Sequence, residues 1–263
     1  MKQFLLPVFL TPLLSLLITT SVHAAIQTEV VEYRHGDRVL EGYLAYDDEI
    51  EDPQPGVLVV HAWKGLGEYE KRRTRELAEL GYVAFAADIY GKGIRPNTNE
   101  AASELASYYR SNRDLLRDRT QAGLEVLRDH PRSLPDQLAA IGYCFGGGTV
   151  LELARSGADV AGVVSFHGNL DTPNPEDAQN IQGQVLALHG ADDPVVPPEE
   201  VDAFISEMQD AEVDWQLVMY GNAVHSFTDP NAGDDPSQGS AYHAEADRQS
   251  WATMRQFFKD LFN

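Results

Sequence analysis

The 263-residue chain has a single cysteine, Cys144, and is short of cations, with 20 Lys plus Arg against 41 Asp plus Glu and a formal net charge of −21. One cysteine excludes an intrachain disulfide framework and a cysteine-rich zinc site. The shortage of cations opposes nucleic acid as a partner, because gripping phosphates needs a cationic footprint. It also opposes docking on an anionic membrane surface. Residues 25–263 contain no Pro/Ser/Gly-rich linker and no internal repeat, so one domain is the simplest organisation. Gly-x-Ser-x-Gly is absent, which removes the usual serine at a strand-to-helix elbow. The histidines lack His-x-x-x-His and His-Glu-x-x-His spacing, so no metal is expected. What the chain does have is 43% hydrophobic residues, enough for a packed core.

Residues 1–24 read as an address. Lys2 is their lone formal charge, an apolar stretch runs from Phe4 to about Ile18, and small residues follow up to Val22-His23-Ala24. This is the layout of a secretory signal peptide, with cleavage expected after Ala24. The apolar run is short for a membrane span of about 20 residues, and Pro7 and Pro12 interrupt it. An uncleaved anchor or a buried helix is the competing reading. The expected product is exported, periplasmic or secreted, and free of the membrane once the signal is removed.

Beyond the signal, Val30–Tyr33 and Val39–Leu44 flank His35-Gly36-Asp37 as an antiparallel hairpin would. Apolar runs then alternate with helical patterns. Strands are expected at 56–61, 82–87, 138–143, 160–166, 185–189 and 215–220. Helices are expected near 68–80, 99–130, 146–156, 198–210 and 240–260. Near-continuous apolar strands joined by helices are covered on both faces. The fold expected is therefore a three-layer α/β sandwich with a mainly parallel sheet and an N-terminal antiparallel hairpin. Ligands bind at the strand C-terminal edge of such sheets.

One turn at that edge carries chemistry. Gly142-Tyr143-Cys144-Phe145-Gly146 lies between a strand and a helix, the context of a nucleophile elbow. The turn is too tight for side chains two residues either side of the nucleophile, and glycine fills both places. A helix N-terminus favours a thiolate and an oxyanion alike. The Phe145 amide is the expected first oxyanion donor. A thiol needs a base, and the base an orienting group. His225 follows the last strand. Asp193 follows the strand ending at His189, before a Pro-Val-Val-Pro segment, with its neighbour Asp192 as the alternative. His61 and His189 also end strands and are expected to hydrogen-bond loop backbone.

Together, Gly142–Gly147, Gly190–Pro197 and His225-Ser226-Phe227 resemble the dienelactone hydrolases, α/β-hydrolases with a Cys-Asp-His triad. The resemblance spans nearly all of residues 25–263. It implies hydrolysis of a small-molecule ester or lactone through an acyl-thioester, with no metal or organic cofactor. Cys144 would be the nucleophile, His225 the base and acid, Asp193 the orienter, and the Trp63 amide the second oxyanion donor. Two positions depart from the family pattern. Ala62 stands where relatives carry a glutamate beside the oxyanion amide, so the thiol would depend on His225 and the helix dipole. Asp229 stands near where an arginine would hold a substrate carboxylate. A neutral or hydrophobic substrate is therefore expected, with Arg95, Tyr90 and Phe227 as candidate contacts. The expected assembly is a monomer or small homo-oligomer. A non-catalytic binding member of the same fold is the rival reading. A thiol redox sensor is less suited, because it lacks a resolving cysteine.

Overall fold

The computed structural model describes Met1 and residues 26–263. The signal-peptide reading of residues 1–24 lies outside the described residues apart from Met1. Strands β1 (Ile26–His35) and β2 (Arg38–Asp47) form the expected hairpin. Gly36 takes φ +56° at its tip, a conformation glycine adopts without strain. There follow β3 (Gln54–Val60), α1 (Glu68–Glu79), β4 (Val83–Ala87), α2 (Asn99–Ser111), α3 (Arg113–Arg128), β5 (Ser133–Tyr143) and α4 (Phe145–Arg155). The chain ends with β6 (Gly162–Phe166), β7 (Gln184–Gly190), α5 (Pro198–Asp210), β8 (Trp215–Tyr220) and α6 (Ala244–Leu261).

The eight strands form one sheet in the order β1-β2-β4-β3-β5-β6-β7-β8. β2 runs antiparallel to β1 and to β4, and every other pairing is parallel. Alternate residues of each central strand enter opposite layers. Leu58 and Val60 belong to the apolar layer that includes residues of α3, α4 and α5, whereas Val57 and Val59 belong to the layer that includes α1 and α6. Burial on both faces is why these strands read as unbroken apolar runs.

The helical stretch expected at 99–130 is two helices. Asn112 ends the first and begins the second: its Nδ2 donates to the Tyr108 carbonyl at 2.6 Å, and its backbone takes φ −122°, ψ 66°. A short amide side chain that captures a helical carbonyl competes with helix continuation. The break lets α2 swing away from the sheet and stand over its edge.

From β3 the chain steps to β4 on one side, then returns to β5 on the other and proceeds outward. The loops after β3 and β5 therefore diverge, which opens a crevice at their C-terminal ends. His61–Gly67 and Cys144 lie there.

Candidate active site

Cys144 alone forms the turn between β5 and α4, at φ 55°, ψ −116°. A non-glycine residue rarely occupies such a conformation, and strain of this kind clusters at functional sites. The surroundings over-determine it. The Cys144 amide donates to the Phe166 carbonyl at 3.0 Å, and the Cys144 carbonyl accepts from Gly147 N at 2.9 Å. A β-carbon at Gly142 would lie 1.9 Å from the Gly146 carbonyl oxygen, and one at Gly146 would lie 2.2 Å from that of Val60. The glycines are therefore a condition of the turn itself.

Three loops bring their side chains to the sulfur. His225 Nε2 lies 3.1 Å from Cys144 Sγ, and His225 Nδ1 lies 2.8 Å from Asp193 Oδ2. Asp193 is buried, and its other oxygen accepts from Val195 N at 2.8 Å, which fixes the carboxylate plane. Asp192 points to solvent, so the geometry selects its neighbour. The His225 backbone is held on both sides, by the Gly239 carbonyl and the Ala241 amide. Arg73 pins the segment after it. This buried guanidinium donates to the Thr228 carbonyl, pairs with Asp247 on α6 and Glu76 on α1, and lies 4.9 Å from the centre of the Trp251 ring.

The charges favour an ion pair. Burial pushes the Cys144 thiol up, but the adjacent His225 outweighs it and the net shift is downward. The Phe145 and Trp63 N–H groups at the sulfur add to that lowering. Burial also opposes a charged His225, yet the thiolate and the Asp193 carboxylate raise it to about 10. Both shifts favour transfer of the thiol proton to the imidazole. Thiolate then forms at lower pH than in a free thiol of pKa about 8.5. Iodoacetamide should accordingly alkylate Cys144 with a rate inflection below that value. An inflection at the free-thiol value would contradict the pair.

The loop after β3 is braced from several directions. His61 is buried and neutral: burial lowers it to about 4. Its Nδ1 donates to the Ala62 carbonyl at 2.7 Å, and its Nε2 accepts from Ile89 N at 3.2 Å. Tyr90 Oη donates to the Trp63 carbonyl at 2.9 Å. Glu70, in the first turn of α1, accepts from Ala62 N at 3.1 Å and Gly67 N at 2.8 Å, so one buried carboxylate spans the loop. Its acidity is weakened chiefly by burial, against the two N–H groups. Position 62 thus carries no carboxylate, but its amide is held by one. The sequence signal for Glu70 was an acid three residues after Gly67 at a helix start, read as part of a charged helix. His189 does not follow expectation, because its Nδ1 is buried without a partner among the described residues. His167 is buried against the His225 ring at 5.4 Å, and its Nε2 meets Thr228 Oγ1 at 2.7 Å.

Cys144 and His225 open onto a cavity of about 350 Å³. Trp63, Phe145, Ala106 and Val195 supply apolar wall, while Ser103, Ser107 and Asn169 supply hydrogen-bonding groups. The three residues expected to contact substrate are placed elsewhere. Arg95 gives Nε to the Leu66 carbonyl at 2.6 Å and Nη1 to the Ile94 carbonyl at 2.8 Å, so it braces loops outside the cavity. Tyr90 is buried behind Trp63, and Phe227 is fully buried against His167 and Tyr220. The cation that does line the cavity is Arg110, on the α2 face shared with Ser103, Ala106 and Ser107. Asp171 pairs with it at 3.0 Å. The described residues hold no group of three or more His, Cys, Asp or Glu side chains arranged for a metal ion.

A mostly parallel sheet preceded by an antiparallel hairpin, with a strained strand-to-helix elbow beside a histidine and an aspartate, defines an α/β-hydrolase. The chain belongs to the dienelactone hydrolase family, whose profile matches residues 40–262. Two solved structures are similar to it at 40% identity. One is m3DLH, with TM-score 0.88, covering 91% of this chain and 100% of that one. The other is a dienelactone hydrolase-like promiscuous phosphotriesterase from metagenomic libraries, with TM-score 0.86, covering 90% and 99%. A relative from Synechocystis sp. carrying the name "Putative carboxymethylenebutenolidase" is 26% identical over 249 residues, covering 89% of this chain and 97% of that protein. The chain is thus a hydrolase of esters or lactones that acts on a small molecule.

Proposed function

We propose that the protein is an exported hydrolase that opens a neutral carboxylic ester or lactone through an acyl-thioester on Cys144. The observation that carries this reading is the unbroken relay Asp193–His225–Cys144, at 2.8 Å and 3.1 Å, facing a cavity. The thiolate attacks the carbonyl carbon, forming a C–S bond while the carbonyl electrons move to oxygen. The Phe145 and Trp63 N–H groups hold that oxyanion, at about 3 kcal/mol per donor. As the C–O bond breaks, His225 Nε2 gives its proton to the leaving alkoxide. The now neutral imidazole takes a proton from water, whose oxygen attacks the thioester. The C–S bond then breaks, restoring the ion pair, and the carboxylic acid leaves and gives its remaining proton to solvent.

The cavity volume limits the substrate to a small one, on the order of a short ester or a single ring. Arg110 does not argue for an anionic substrate, since Asp171 already meets its charge. Export rests on residues 1–24 alone. The non-catalytic alternative is opposed by the completeness of the relay, which a binding module has no use for.

Acid quenching during turnover tests the reading. With p-nitrophenyl acetate, an acetyl adduct should appear on the peptide carrying Cys144 and disappear as substrate is exhausted. A matched panel of neutral and carboxylate-bearing lactones should favour the neutral members in kcat/KM. Turnover without any adduct would overturn the thioester route, and preference for the anionic lactones would overturn the substrate class. A phosphotriester belongs on the same panel, because one similar structure is described as a phosphotriesterase.

A further inference from the structure

Away from the catalytic site, one cleft departs from the acidic character of the chain. It measures about 610 Å³ and lies where the β1–β2 hairpin meets the loop after β4 and helix α3. Its lining is His35, Asp37, Arg38, Val39, Lys92 and Arg119. Four of those six side chains are basic, in a chain of formal charge −21.

Arg119 is the residue that needs explaining. It is only 5% exposed. Its Nη1 donates to the carbonyls of Ile89 at 2.6 Å and Tyr90 at 3.2 Å, and to Tyr109 Oη at 2.9 Å. Its Nε is buried with no hydrogen-bond partner. No carboxylate lies within ion-pair distance of Arg119 or Arg38 among the described residues, although acids are plentiful nearby. Those acids are engaged elsewhere or stand apart. Glu32 and Glu41 hold Lys92, Asp118 lies 3.7 Å from His35 Nε2, Asp88 faces Arg95 at 3.5 Å, and Asp37 lines the cleft without pairing with either arginine. A buried guanidinium without a counter-charge is costly unless something supplies one. Room is kept for the second guanidinium as well: a β-carbon at Gly91, whose φ is +128°, would lie 3.2 Å from Arg38 Cδ.

We propose that this cleft is a binding site for a small oxyanion, phosphate or carboxylate, held between the guanidinium groups of Arg38 and Arg119. Guanidinium forks match the planar spacing of carboxylate and phosphate oxygens, and charge-assisted bonds of this kind are the strong ones. Carboxylate is the class that ester hydrolysis itself releases, and phosphate is the commonest free dianion. Both share the chemistry the cleft offers.

The test uses the full chain and isothermal calorimetry with sodium phosphate or sodium acetate, with ionic strength held constant by chloride. Saturable binding of at least one of the two is expected, weakened at least about tenfold, or roughly 1.4 kcal/mol, in Arg38→Ala. Arg38 is exposed, so this variant should fold, and an unchanged melting curve checks that. Arg38→Glu should abolish binding. Alkylation of Cys144 should leave it intact, which separates the cleft from the catalytic site. Saturation by phosphate alone or by acetate alone identifies the natural class. No saturation by either anion, or equal binding by wild type and both Arg38 variants, overturns the proposal.

Discussion

Replacing Cys144 with alanine should lower kcat for p-nitrophenyl acetate by on the order of 10⁴–10⁶-fold, the scale on which nucleophile removal acts in comparable triads. The oxyanion donors and cavity would survive, because Phe145 and Trp63 present backbone groups rather than side chains. The fold should survive as well. Alanine keeps the β-carbon at φ 55°, so the elbow is no more strained than before, and the sulfur it removes faces the cavity. The melting temperature should therefore move little. Steady-state kinetics beside a thermal melt would check both halves. A variant retaining turnover within about tenfold of wild type would mean that another group performs the attack, and the relay would lose its assigned purpose.

The second large effect concerns a residue with no functional group. Gly142→Ala should cost about 3 kcal/mol or more of stability and most of the activity. The added carbon would sit 1.9 Å from the Gly146 carbonyl oxygen and 2.2 Å from its carbon. These are backbone atoms in the first turn of α4, so no side chain can rotate away. The elbow itself must move, and Cys144 moves with it. A displacement near 1 Å in a reacting group can cost about a hundredfold in rate. Gly221→Ala is the control, since nothing lies within 4 Å of its β-carbon position. It should change stability by no more than about 0.5 kcal/mol. Chemical denaturation of the pair, with kcat measured alongside, would settle the matter; equal stability of the two variants would refute the steric account.

The elbow was legible in the sequence because its requirement is local. Two glycines flanking one residue at a strand-to-helix junction express a clash that a short window contains. The carboxylate and imidazole were legible as residues following strands, since a parallel sheet gathers strand ends on one edge. The prolines after Asp193 favour it over Asp192, and in the structure it is Asp193 whose carboxylate meets His225. What escaped was orientation. Arg95 and Arg110 are both arginines near loop ends, and composition cannot tell which points toward Cys144. That depends on the direction α2 takes after the chain breaks at Asn112, a matter of one amide reaching the Tyr108 carbonyl. Tyr90 and Phe227, expected as substrate contacts, are buried away from the cavity lining. Each supports a loop rather than facing the cavity. Glu70 escaped for a related reason: nothing in an acid on a charged helix announces that its carboxylate reaches back to two amides of the preceding loop.

The Arg73 clamp ties the active-site loop to the last helix. The imidazole that lowers the thiol is steadied by the segment up to Thr228, and that segment is tied through Arg73 to Asp247 in the last helix. A nascent chain emerging from the ribosome has neither the tie nor the helix. Until α6 docks, this restraint on the segment that follows His225 is missing. Docking of α6 is thus part of what holds His225 against Cys144.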